Sequence, residues 1–465
     1  MMQFSSQAAP PQHTLLKPNP NNIHGLFLDL SSPNNLFHNR PTRPWPGGFP
    51  TSSKALGSFN TAGCMEQLLA HCASAVEAND ATLAQQLLWV LNNIAPPEGD
   101  SNQRLTSAFL RALISRASKS GSCKIFASAA GALAATASTL SDALHRFSAV
   151  ELASFVDLTP WHRFGYSAAN AAILEAVEGF STIHVVDLST THCMQMPTLI
   201  DALSNRPEGP PILRLTAVCL TDGTQPPPLL DMSYEELGAR LVNFARSRNV
   251  PMEFRVIHAG PSDGFSDVLD QLRVQQLVSD GEALVVNCQM MLHCIPEETA
   301  GTFSSSVGLT PCISLRSMFL KALRSLEPTL VTIIDEDADF TSPDVVTRLR
   351  SAFNYLWIPY DTVDTFLPRG SEQRKWYEAG ISWKIENVIA QEGLQRVERL
   401  ESKGRWAQRM RNSGFRALGF GEEAVAEVKG MLDEHSAGWG LKRDEDDLVL
   451  TWKGHNVVFA TAWVP

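Results

Sequence analysis

The chain has 465 residues, 44% of them hydrophobic and 19% charged, which is ample apolar material for a sizeable core. Its 49 acidic residues against 38 lysines and arginines leave a formal net charge of −11. That balance argues against indiscriminate nucleic-acid binding, which rests on neutralising phosphate, and confines any DNA contact to a local basic patch.

Eight cysteines occur, none in a Cys-x-x-Cys pair, and most lie in apolar runs. The pattern points to reduced thiols in the cytosol or nucleus rather than a disulfide framework. Residues 1–20 carry no apolar stretch of the kind a secretory signal needs, and the alanine-rich run at 125–137 is too short to cross a bilayer, so no membrane association is expected.

Residues 1–60 contain nine prolines and little charge. Such a segment buries too little apolar surface to offset its ordering entropy, and it reads as a disordered tail. Its apolar clusters, at 26–28, 36–37 and Trp45, are candidate partner-binding spots.

From 61 to 120 the spacing is helical. Met65, Leu68, Leu69, Cys72 and Val76 make one stripe, and Leu83, Leu87, Val90, Leu91 and Ile94 make another. The second stripe is either a dimer or partner surface or the buried face of an amphipathic helix. Asp100 with Gln103 forms a capping-box pattern for a third helix. Helix is expected to continue through 123–158. Thr159-Pro160-Trp161 starts another, which Gly179 stops.

Residues 183–188 read as the first strand of a parallel sheet. Further strand-like runs follow at 212–220, 252–257, 283–287 and 330–335, with helical patterns at 196–203, 234–246, 268–278 and 313–326 between them. That alternation argues for right-handed crossovers. After a helical pattern at 345–355, strands are expected at 382–389, 448–453 and 457–463. The last two flank a short turn and suggest an antiparallel hairpin at a sheet edge.

A nucleotide-binding fold of this order normally carries a glycine-rich turn after its first strand. Here that turn is Ser189-Thr190-Thr191-His192-Cys193, and Gly-x-Gly-x-x-Gly is absent from the chain. No cofactor is therefore expected, and no metal either, because His192-Cys193 and His293-Cys294 are adjacent pairs and not metal-ligand spacings. Asp187 reads as a carboxylate that caps the next helix or bonds loop amides, with a catalytic role as the alternative. A retained small-molecule site near Asp187 and Asp222 is the enzyme reading that competes.

One stretch is markedly basic. Arg396, Arg399, Lys403, Arg405, Arg409, Arg411 and Arg416 meet only Glu398 and Glu401. They are candidates for contact with DNA phosphate or an acidic partner, Arg405 and Arg409 first among them. The competing reading is a solvated helix face with internal ion pairs.

In order along residues 61–465, these landmarks resemble the plant GRAS family, in its Scarecrow-like branch. Ile183, His184, Val185, Val186 and Asp187 look like its VHIID motif. Gln195, Pro197 and Leu199-Ile200 follow at the family's spacing, as does Arg206-Pro207. Leu367-Pro368-Arg369, Arg396-Val397-Glu398-Arg399, Trp406, Gly438-Trp439-Gly440 and Ala462-Trp463 resemble its later regions. Cys193 and Met196 stand where the family usually has glycine and tryptophan, Trp383-Lys384 where it has an arginine-glutamate pair, and Thr461 where it has serine.

The resemblance implies an α/β fold: a methyltransferase-like Rossmann core, mostly parallel with antiparallel strands at the C-terminus, under an N-terminal helical cap. It implies a leucine-rich region at 61–122, a VHIID region at 152–217, a second leucine-rich region at 233–265, a PFYRE region at 276–385 and a SAW region at 390–465. It also implies a nuclear regulator of transcription in plant development, not an enzyme. Such a regulator works through DNA, through other transcription factors, or as a scaffold without DNA contact. Homo- or heterodimers would form through the leucine-rich surface.

Overall fold

The computed structural model describes residues 61–119, 144–221, 225–274, 281–297 and 314–465. The expectations for 1–60, for the alanine-rich run and for Asp222 lie outside those residues.

Nine strands make the central sheet: β1 (Thr182–Ser189), β2 (Ile212–Leu220), β3 (Met252–Ala259), β4 (Ala283–Gln289), β5 (Leu330–Glu336), β6 (Arg416–Leu418), β7 (Trp439–Asp444), β8 (Asp447–Trp452) and β9 (His455–Val464). Their order is β3-β2-β1-β4-β5-β9-β8-β7, with β6 paired to β9. The first five are parallel, β9 runs antiparallel to β5, and the remainder stay antiparallel. Strand order therefore reverses between β1 and β4, where open α/β sheets place their ligand crevice.

The β1 run is apolar on both sides because both faces are covered. Ile183 and Val185 join the core on one face, and Val186 and Leu188 join the core on the other. The second, smaller core is completed by α8 (Ser266–Val274), α9 (Leu315–Arg324) and α12 (Lys403–Asn412).

The larger core carries the helical cap. Its first three helices, α1 (Ala62–Glu77), α2 (Ala81–Ile94) and α3 (Ser101–Lys119), pack with α10 (Val345–Phe366) and α11 (Glu372–Ala390) from far along the chain. Arg104 of α3 pins this arrangement. It is almost fully buried and pairs with Asp364 of α10 at 2.8 Å and Glu378 of α11 at 3.2 Å. The capping box of α3 forms as expected: Gln103 N donates to Asp100 Oδ1 at 2.9 Å, and Asp100 N donates to Gln103 Oε1 at 3.0 Å.

Four expectations change. Residues 144–147 are not helical. Arg146–Phe147 pairs in parallel with Leu229–Leu230, and the next helix, α4 (Ala149–Asp157), begins only where Ser148 and Glu151 close a capping box. Residues 382–389 are not a strand but the end of α11: Ile381, Ile385, Val388 and Ile389 are buried at helical spacing. The β8–β9 hairpin is not at the edge. β9 is inserted beside β5, and β7 forms the margin. Its turn is Lys453-Gly454, both at positive φ (48° and 84°), as a two-residue turn between twisted strands requires. Helix α10 also continues past 355, because Ile358, Thr362 and Val363 extend its buried face.

The helices that build the site are α5 (Pro160–Ala176), α6 (Met196–Ser204) and α7 (Tyr234–Ser247), with α13 (Glu422–Asp433) packed on α5. Thr159 caps α5, and Pro160 takes its first position.

Candidate functional site

At the switch point the crevice is filled by the chain's own side chains. Asp187, at the end of β1, is 2% exposed and accepts from Ser189 Oγ at 2.6 Å and from Asn287 Nδ2 of β4 at 2.7 Å. Asn287 Oδ1 accepts from Thr332 of β5 at 2.8 Å. Gln195 enters from the turn: its Oε1 accepts from Asn287 at 2.9 Å and from Gln289, and its Nε2 donates to Asn170 of α5 at 2.8 Å. Every member of this network is buried. Burial raises the Asp187 carboxyl above its usual value, while bonds from Ser189, Asn287 and Cys193 pull it the other way.

The turn after β1 retains the backbone of a glycine-bearing loop without the glycines. His192 and Cys193 both sit at positive φ, 52° and 58°. His192 is held by Tyr234 OH at 2.9 Å and Pro228 O at 3.0 Å. Cys193 is 1% exposed, and burial together with Asp187 pushes its thiol well above the ordinary range, which disfavours the thiolate there. His184 bonds Thr216 of β2 at 2.8 Å. The motif at 183–187 thus builds the sheet and closes the crevice.

Beside this plug a cleft of about 120 Å³ lies beyond the ends of β1, β4 and β5. Its base is a buried charge cluster. Lys384 of α11 reaches Glu336 at 2.5 Å and Glu398 at 3.2 Å, and His293 reaches Asp335 at 2.9 Å and Glu398 at 3.5 Å. Burial works against the charged imidazole, yet the neighbouring charges, Asp335 foremost, hold His293 well above the ordinary histidine value. Burial also works against the Glu398 carboxylate, but Lys384 and then His293 hold it down to about 2. His162, on the wall, is lowered to about 4 by burial and by Lys384. Lys384 and Glu398 stood out in the sequence only as family landmarks and not as partners, because the cluster is brought together from five separated segments.

The seven basic candidates separate into two groups. Arg396 and Arg399 are buried, bonded to backbone carbonyls of Ser342 and Gly393, and burial with neighbouring arginines lowers both to about 10. Lys403 pairs with Asp444 and Asp447. Arg409 grips Glu401 in a bidentate pair, 2.7 Å on each arm, and Arg405 pairs with Glu297 and Asp339. Only Arg411 and Arg416 are exposed. Arg316, which the sequence did not flag, anchors this network. It is fully buried, bonds the carbonyls of Ile295, His293 and Arg399, pairs with Glu401 at 3.2 Å and lies over Trp406.

A further basic surface joins Arg411 and Arg416. Arg324 of α9 donates to Gly414 O at 3.1 Å, and Arg273 of α8 donates to Ser325 at 3.0 Å. Lys321 and Met318 stand exposed on the same helix.

In the second leucine stripe, Leu87, Val90, Leu91 and Ile94 are buried in the chain's own core, and Leu83 packs against it half-buried. The exposed apolar residue of α2 is Trp89.

The sheet order and the filled crevice define a Rossmann-like protein of the methyltransferase type whose cofactor turn is closed. The profile of the GRAS domain family matches residues 65–464. Scarecrow-like protein 32 of Arabidopsis thaliana is 60% identical over 425 residues, covering 90% of this chain and 98% of that protein. Protein SHORT-ROOT of the same plant is 32% identical over 412 residues, covering 86% of this chain and 73% of that one. The crystal structure of SCL7 in Oryza sativa matches with a TM-score of 0.65 at 25% identity, covering 86% of this chain and 99% of that chain. The chain belongs to the GRAS domain family, whose members are plant developmental transcriptional regulators.

Proposed function

We propose that the chain acts in the nucleus and contacts DNA phosphate through the basic surface at the end of α12: Arg411, Arg416, Arg324, Lys321 and Arg273. The observation that supports this is the division of the basic segment. Arg396, Arg399, Lys403, Arg405 and Arg409 are paired with carboxylates or carbonyls of the fold, whereas Arg411, over the Trp463 ring, and Arg416, which reaches the carbonyl of Pro465, are exposed beside cations from α8 and α9. No chemical step is part of this role. The test uses oligonucleotides selected from a random pool by the purified chain. The double variant Arg411→Glu/Arg416→Glu should lose retention in a gel shift, and the slope of log affinity against log salt should shrink by about 2, near 0.9 per lost phosphate contact. Unchanged retention rejects the surface.

A second reading is a DNA-bound transcription factor with an acidic, apolar docking segment. Met318, 52% exposed among these cations, favours it. Under that reading the pool yields no sequence, and Met318→Ala weakens capture of the partner.

A further inference from the structure

The cleft beside the plug has features that neither DNA contact nor the fold requires. Its walls are aromatic. Trp161 comes from α5, and Trp376, Tyr377 and Trp383 come from α11. At its base His293 Nε2 and Glu398 Oε2 face each other across 3.5 Å without hydrogen-bond alignment. Both side chains are about 3% exposed and both line the cleft, and neither atom makes an aligned hydrogen bond, although Glu398 Oε2 is ion-paired with Lys384 Nζ at 3.2 Å. The charge on Glu398 is therefore met, and what stays unaligned is the imidazole Nε2 donor and the remaining acceptor capacity of Glu398 Oε2.

The group that completes them must accept from His293 and donate to Glu398. A hydroxyl does both, provided the two side chains part slightly from their 3.5 Å approach to admit its oxygen. A carboxylate can accept but cannot donate. It would also add to a cluster that already holds three carboxylates (Asp335, Glu336 and Glu398) against two cations (Lys384 and His293). An ammonium can donate but cannot accept, and it would face Lys384 and the imidazolium. The space of about 120 Å³ is close to the roughly 150 Å³ of an apolar cavity that holds benzene. We propose that this cleft is a binding site for a small, neutral, hydroxylated ring compound. The ring lies between the aromatic walls, and the hydroxyl bridges His293 and Glu398.

Gly380 supplies a test that leaves the fold in place. It lines the cleft, and a Cβ added there meets only Pro227 Cγ at 4.0 Å. A leucine at that position would extend into the cleft, and it replaces a helix-interior glycine with a better helix former.

The experiment titrates the full chain with phenol, benzene and benzoate, read by calorimetry and by emission of the tryptophans in the wall. Phenol should bind saturably and at least tenfold more tightly than either of the others. Gly380→Leu should weaken phenol at least tenfold with an unchanged or raised unfolding midpoint, and Glu398→Gln should weaken phenol while sparing benzene. No saturable phenol binding would mean that water alone bridges the pair, and it overturns the proposal. So would benzoate binding as tightly as phenol, or a Gly380→Leu chain that binds phenol like the parent. The DNA surface has its own readout, so failure of either proposal leaves the other standing.

Discussion

Arg316 shows most clearly how single residues hold this fold. Its guanidinium has left water entirely, and its fork is matched by three carbonyls, one carboxylate and an indole face. Arg316→Lys should destabilise the chain by about 3–5 kcal/mol in denaturant unfolding, because a lysine presents no planar fork and leaves several buried carbonyls short of donors. A loss under 1 kcal/mol would show that the network relaxes around the change. His162 makes a pH prediction. Its folded value near 4 lies below the ordinary 6.5, so the unfolded chain takes up a proton first as pH falls between those limits. Stability should fall across that window by on the order of 1–3 kcal/mol, and His162→Gln should remove much of the slope. His293 has the opposite sign: its contribution is complete below 6.5 and is lost as pH rises through its elevated folded value. The two therefore act on opposite limbs of the stability curve, measurable by unfolding each variant at a series of pH values.

Among the elements, α2 gives a direct test of whether the leucine stripe is core or interface. Leu87 and Leu91 are within 1% of full burial inside one chain. Leu91→Ala should cost about 2–5 kcal/mol at any protein concentration, whereas Trp89→Ala, at a residue 37% exposed, should cost less than Leu91→Ala. Concentration-dependent loss with Leu91→Ala would mark the stripe as an interface instead. The parallel strands were legible in the sequence because runs such as 183–188 and 283–287 are apolar on both faces, which only a doubly covered sheet requires. Residues 382–389 misled because a tryptophan and β-branched residues suggested a strand, while the decisive spacing began at Ile381 and ran with period 3.6. The basic segment was legible as charge and not as geometry. Glu297, Asp339, Asp444 and Asp447, which occupy Arg405, Arg409 and Lys403, lie up to about a hundred residues away along the chain. The cleft was illegible for the same reason.

At the scale of the whole molecule, the fold keeps the strand order of a cofactor-binding enzyme and fills the cofactor's place. His192 and Cys193 at positive φ, together with Gln195 and Asn287, occupy the part of the crevice that a glycine turn would leave open, while the cleft beyond β1, β4 and β5 stays open beside them. The proposed DNA contact lies on the outer surface, where Arg411 and Arg416 are exposed. The central claim is that the crevice beside Asp187 is plugged by the chain's own side chains. The measurement that tests it most directly is a calorimetric titration of the purified chain with S-adenosylmethionine. A sealed crevice predicts no saturable heat at millimolar ligand. A saturable isotherm would contradict the account, because it would mean that Gln195 and its partners yield to the ligand and the crevice still works.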